Sequence, residues 1–211
     1  MTEPSSPQHL ATLIAEAICK LPKSDHRQMI AVAGPPGVGK TTTAQNTQSE
    51  LTARGMPAGI LAMDGFHLDN AILTERELLA RKGAPETFDV GGLKSVLQRL
   101  QSEDEVAVPV FDRSLDKAIA AGALIRSEHR VVLVEGNYLL LDEAPWRALR
   151  GFWTLSVMVT APLPVLEARL IDRWRQFGFS PEIARARADE NDLPNAKRVL
   201  AMSSGADHIL S

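Results

Sequence analysis

Eight consecutive residues, Gly34-Pro35-Pro36-Gly37-Val38-Gly39-Lys40-Thr41, carry the strongest chemical signal in this chain. The spacing Gly-x4-Gly-Lys-Thr is that of a loop that wraps phosphate groups. Glycine permits backbone angles that turn N–H groups toward oxygen atoms. A helix that starts where the loop ends adds partial positive charge at its N-terminus. Lys40 can reach the outer phosphates as a mobile cation, Thr41 can place its hydroxyl on magnesium, and Thr42 belongs to the same nucleotide-binding set. The expected ligands are ATP and Mg2+. Nucleotide binding alone does not separate a kinase from a transport ATPase, a GTPase or a helicase.

Other residues narrow the chemistry. A carboxylate at a neighbouring strand end is needed to hold magnesium through water, and Glu135, after the apolar run 131–134, is the candidate; the alternative is a plain surface carboxylate. Asp64 follows another apolar run, 60–63, and can take a proton from an attacking hydroxyl. His67, three residues on, can hydrogen-bond a substrate or be a satisfied structural histidine. Arg169 and Arg173 lie four apart on one face of a helix, and Arg175 shares that face less well. They can close over phosphates, or form a solvated face with Glu167 and Asp172. Segments 64–70, 85–89, 111–116 and 137–141, which include Phe88, Arg113 and Tyr138, are expected to line an acceptor pocket.

The elements that must position these groups alternate along the chain. Helical periodicity predicts helices over 9–21, 39–54, 74–81, 92–101, 163–177 and from Pro181 to about 190, with another beginning at 191–195. Apolar runs predict strands at 28–33, 58–63, 105–110, 130–134 and 152–160, a short hairpin strand at 123–126, and a last strand at 207–210. The runs are apolar throughout, which is the pattern of a mostly parallel sheet covered on both faces, a three-layer α/β fold. In a doubly wound sheet Asp64 and the phosphate loop fall on the carboxyl edge, where the crevice lies. The arginine-rich stretch from about 169 to 192 reads as a lid within a single domain spanning 1–211, with residues 1–8 as a frayed polar tail.

Bulk properties set limits. Hydrophobic residues make up 45% of the chain and charged residues 23%, which excludes a disordered or fibrous protein. A net charge of −3 argues against a nucleic-acid partner. No apolar run is long enough to span a bilayer. The single cysteine, Cys19, excludes an internal disulfide and is expected to be buried in the first helix. One thiol and no secretory signal point to the cytoplasm.

Taken in order, these pieces resemble the phosphoribulokinase and uridine kinase superfamily, which includes bacterial pantothenate kinase. The resemblance rests on residues 34–41, Met63-Asp-Gly-Phe-His67, Thr87-Phe-Asp89, Pro109-Val-Phe-Asp-Arg113, Val134-Glu-Gly-Asn-Tyr138 and Arg169 to Arg173. Met-Asp-Gly-Phe-His-Leu, Glu-Gly-Asn-Tyr-Leu-Leu-Leu and Asn-Asp-x-Pro-Asn are most similar to a bacterial branch provisionally named fructose transport system kinases. The resemblance implies that Asp64 is the general base, Glu135 the acidic residue near magnesium and Arg169 with Arg173 the lid arginines. It implies that Arg113 faces the acceptor and that Asn195 and the 206–208 stretch pack near the adenine. It allows a homodimer. His67 departs from the uridine kinase pattern, and pantothenate kinases have longer chains.

The expected reaction is transfer of the terminal phosphate of ATP to an alcohol of a sugar-, nucleoside- or pantothenate-like acceptor. The alternative is a nucleotide-dependent regulatory or transport-associated switch without an acceptor. The sequence markers of such switches, Asn-Lys-x-Asp and Leu-Ser-Gly-Gly-Gln, are absent from the chain.

Overall fold

The computed structural model describes residues 5–211. The first four residues of the expected tail lie outside the described residues. The rest of that tail is shorter than expected, because Ser6 caps a helix that begins at Pro7. The Ser6 hydroxyl accepts from the His9 N–H, and proline suits the first helical turn.

The elements run α1 (Pro7–Cys19), β1 (Gln28–Ala33), α2 (Lys40–Ala53), β2 (Ala58–Ala62), α3 (Asn70–Glu75), α4 (Val90–Ser102), β3 (Val106–Asp112) and β4 (Lys117–Ile125). They continue with β5 (Val131–Gly136), β6 (Leu155–Val159), α5 (Leu163–Gln176), α6 (Pro181–Arg187), α7 (Leu193–Met202) and β7 (His208–Leu210). Five strands form a parallel sheet in the order β2-β5-β1-β6-β7.

Both faces of the sheet are covered, which is why its strands read as continuous apolar runs. Along β1, Met29, Ala31 and Ala33 join one core with Leu93, Leu97 and Leu100 of α4 and with Val106, Val108 and Ile125 of the hairpin. Ile30 and Val32 face the other core, with Leu10, Ile14 and Ile18 of α1, Leu51 of α2 and Leu166 of α5. The three-layer α/β arrangement is therefore the fold that the sequence predicts.

Several local expectations are corrected. The 74–81 helix is displaced: α3 starts at Asn70 under an Asp69 cap, and a separate 3-10 turn covers Leu79–Arg81. The short hairpin strand is the end of the nine-residue β4, which pairs antiparallel with β3 outside the main sheet. Cys19 is exposed, because the buried stripe of α1 falls at Leu10, Ala11, Ile14, Ala15 and Ile18 and turns away from it. A 3-10 segment at Trp146–Phe152 has no counterpart in the sequence reading.

Candidate active site

The parallel sheet delivers three chain segments to its carboxyl edge. β5 lies between β2 and β1, and Glu135 is level with Ala62 on one side and Val32 on the other. The phosphate loop leaves β1 after Ala33, and Asp64 sits in the 3-10 turn Met63–Phe66 directly after β2. Neighbouring strand ends thus bring together residues that are far apart in sequence.

The loop turns straight into α2. Gly39, the residue before that helix, has φ +98, a conformation in which a side chain is strained. Lys40 opens α2 and is buried, and its Nζ donates back to the Pro35 carbonyl at 3.0 Å. Burial pulls the Lys40 ammonium down to about 8, with Glu135 and Asp64 opposing. The Thr41 hydroxyl donates to Glu135 Oε1 at 3.1 Å. Glu135 is also buried; desolvation, then the charge of Asp64, raises its pKa against the pull of Lys40. The exposed Thr41 hydroxyl in contact with the buried Glu135 carboxylate forms an all-oxygen donor set that suits a hard divalent cation.

Asp64 is held from the opposite side by the β3–β4 hairpin. A Cβ on Gly65 would lie 2.5 Å from the Pro109 carbonyl oxygen, so only glycine lets the hairpin pack onto this turn. That approach carries Arg113 to Asp64, with Nη2 3.0 Å from Oδ2. Among the described residues no side chain engages the other Asp64 oxygen. His67 Nδ1 lies 2.8 Å from the Asp64 carbonyl, and its ring packs between Phe88 and Phe111 with centroids 4.1 and 4.6 Å away. Burial lowers the His67 pKa, with Asp64 opposing.

Beyond these residues the wall is made of further polar contacts. Lys82 Nζ donates to Asn70 Oδ1 at 2.6 Å and to the Asp116 carbonyl at 2.8 Å, and pairs with Asp116 Oδ1 at 2.8 Å. Asn191 donates to the Lys82 carbonyl at 2.7 Å, and Asn195 donates to Asn191 Oδ1 at 3.2 Å. Arg173 Nη2 and Trp174 Nε1 both donate to Asp192, at 3.0 and 2.6 Å. Arg187 lies 4.9 Å over the Trp174 ring and 4.4 Å over that of Phe179.

All of this surrounds one cleft of about 1250 Å³. Pro36, Gly37, Gly39, Lys40, Thr41 and Thr42 line it together with Asp64, His67, Phe88, Arg113, Glu135, Arg173 and Asn195. Gly34, Pro35 and Val38 lie behind the lining. Arg169 does not line the cleft; it donates to the Val38 carbonyl at 3.3 Å, bracing the loop from outside. Tyr138 does not line it either. It is buried edge-on to Phe88, and its hydroxyl donates to the Gly83 carbonyl at 2.6 Å, so it supports the wall from behind. Asn195 and the 206–208 stretch are separated: Asn195 lines the cleft beside Asn191, whereas Asp207 accepts from the N–H and hydroxyl of Ser156.

Lys82, Asp192, Trp174 and Arg187 line the cleft and were not singled out as site residues from the sequence. Asp192 had a signal, the Asn-Asp-x-Pro-Asn stretch. Lys82 had none, because its partners are 12 and 34 residues away.

A parallel sheet with a glycine-rich loop between its first strand and the following helix, and carboxylates at neighbouring strand ends, defines a P-loop nucleotide-binding protein. Residues 29–176 match the model of the phosphoribulokinase/uridine kinase family. The chain belongs to that family and is an ATP-dependent small-molecule kinase, a phosphotransferase acting on a hydroxyl group. It is similar to the uncharacterized protein YggC of Escherichia coli K12, at 36% identity over 188 residues, which is 87% of this chain and 77% of that one. It is similar to a pantothenate kinase of Enterococcus faecalis, at 30% identity over 168 residues, covering 78% of this chain and 53% of that one. A crystal structure from Silicibacter sp. TM1040, provisionally named a fructose transport system kinase, shares 41% identity and superposes with a TM-score of 0.91. That likeness covers 98% of this chain and 100% of the other.

Proposed function

We propose that this protein transfers the γ-phosphate of ATP to an alcohol of a sugar-, nucleoside- or pantothenate-like acceptor, with Asp64 as general base. The observation that carries this reading is that the phosphate loop, Glu135 and Asp64 line one cleft at adjacent strand ends. Lys40 and the loop N–H groups hold the phosphates. Thr41 and, through water, Glu135 would hold Mg2+, which would supply positive charge to the phosphate oxygens. Asp64, with one oxygen tied to Arg113 and the other available, orients the acceptor hydroxyl and takes its proton. The acceptor oxygen bonds to the γ-phosphorus as the bond to the bridging oxygen breaks, and ADP leaves. Arg173 faces the phosphates from α5, and Arg169 keeps the loop in shape behind them. α5 and α6 act as a lid that excludes water. The 1–211 chain works as one kinase domain.

The test is Asp64→Asn. Removing a positioned base costs roughly 10²–10⁴ in rate, while the phosphate loop is untouched. Turnover is expected to collapse while MgATP still raises the melting temperature. An Asp64→Asn protein that phosphorylates its acceptor at the wild-type rate refutes the base assignment.

A further inference from the structure

We infer that the acceptor is an uncharged, hydroxyl-rich molecule and that the site discriminates against carboxylates and phosphate esters. This rests on the phosphotransfer reading above and concerns the end of the cleft around Asp64.

The cations at that end already have partners. Lys82 has three N–H donors, and three oxygens sit within 2.8 Å of its Nζ: Asn70 Oδ1, Asp116 Oδ1 and the Asp116 carbonyl. The second oxygen of Asp116 accepts from Asn70 Nδ2 at 2.9 Å, which closes the cluster. Arg113 is paired with Asp64. On the helical wall that faces the phosphates, Arg173 is paired with Asp192. An anionic acceptor that engaged Lys82 or Arg113 would have to pull that cation from its carboxylate, exchanging one ion pair for another with no net gain.

Around Asp64 the wall presents hydrogen-bond acceptors. A carbonyl oxygen can only accept, so the 2.8 Å contact between His67 Nδ1 and the Asp64 carbonyl places the proton on Nδ1. Burial keeps the ring neutral, which leaves Nε2 as a bare lone pair. The free oxygen of Asp64 is another acceptor. So is the Asn195 carboxamide oxygen, since that amide uses its nitrogen to reach Asn191. Acceptors need donors, and a polyol brings one on every hydroxyl. A carboxylate or phosphate brings only further lone pairs and negative charge, placed beside Asp64. The rings of Phe88 and Phe111 flank His67 and offer apolar faces to the C–H side of such a molecule.

ADP release at fixed MgATP tests this on two sets of probes. The neutral set is hexoses, pentoses, hexitols and nucleosides; the anionic set is glycerate, pantothenate and pentose 5-phosphates. A neutral acceptor is expected to exceed every anionic one by about tenfold or more in kcat/KM, the scale of one charge pair at a binding site. If an anionic compound is preferred and Asp64→Asn abolishes its turnover, the inference fails and the kinase reading stands. If neither set stimulates ADP release, both fall.

Asp116→Asn gives an independent check, because asparagine suits the φ of +52 at this position and the change removes the carboxylate that neutralises Lys82. The anionic-to-neutral ratio of kcat/KM should rise about tenfold. An unchanged ratio, whatever the absolute rates, overturns the charge argument.

Discussion

The two ends of the cleft are held in different ways. At the donor end the charged groups are buried: Lys40 and Glu135 are 8% and 5% exposed, Lys40 bonds to a carbonyl of its own loop, and Glu135 accepts from the Thr41 hydroxyl. At the acceptor end Arg113 and Asp116 have side chains 60% and 55% exposed, and their partners are other side chains on separate loops. Buried, hydrogen-bonded groups are preorganised for one ligand and need no rearrangement when it arrives. Half-exposed side-chain pairs are adjustable, because breaking one against water costs little. The donor end is built for a fixed chemistry, and the acceptor end can be retuned by exchanging a few loop residues.

The largest effect that would test this contrast is at Lys40. Lys40→Met should lower kcat by about 10²–10³, the scale of one preorganised electrostatic donor, and weaken the thermal shift with MgATP. Arg113→Met should leave that thermal shift intact. If Arg113→Met weakens nucleotide binding as much as Lys40→Met does, the two ends are not separable.

The pH dependence comes next. Burial lowers the Lys40 pKa to about 8, and only the protonated form attracts phosphate. Phosphate stabilises that form, so ATP affinity should be flat below pH 8 and fall by up to about tenfold per pH unit above it. Titration calorimetry across this range checks the slope. The residual affinity of Lys40→Met should show no such fall, and a fall that persists in that variant assigns the titration elsewhere.

Asp192 tests the arginine wall. Asp192→Ala removes the acceptor shared by Arg173 and Trp174. A misplaced catalytic group can cost up to about 10² in rate, so kcat should fall by ten- to a hundredfold with little change in the KM for ATP. An unchanged kcat would make Arg173 a bystander. The smallest effect is at Tyr138. Tyr138→Phe loses the bond to the Gly83 carbonyl and should cost about 1 kcal/mol of stability, read by denaturant titration, with kcat/KM nearly unaltered.

Much of this molecule is written locally in its sequence. The phosphate loop is legible because its residues are contiguous and its function is carried by backbone: glycines set the N–H groups, and the helix that follows adds its field. Apolar runs gave the strands, since a sheet covered on both faces needs apolar side chains on both. Once the runs are parallel strands, Asp64 and Glu135 follow as residues at their carboxyl ends. Family membership is legible for the same reason, because the marker stretches are short and ordered.

Contacts between distant segments were decided only by the tertiary structure. Helical spacing places Arg169 and Arg173 on one face of α5, yet packing sends one to the Val38 carbonyl outside the loop and the other into the cleft. Tyr138 sits in a segment expected to line the pocket, but the bed of Phe88 and Trp146 draws its ring behind the wall. The pairing of Lys82 with Asn70 and Asp116 depends on how the hairpin lands on the turn at Gly65, where a carbonyl approaches too closely for any side chain. One-dimensional periodicity reports which face an element buries. It does not report which loop will meet that face, because that is set by the packing of the whole sheet and its two covering layers.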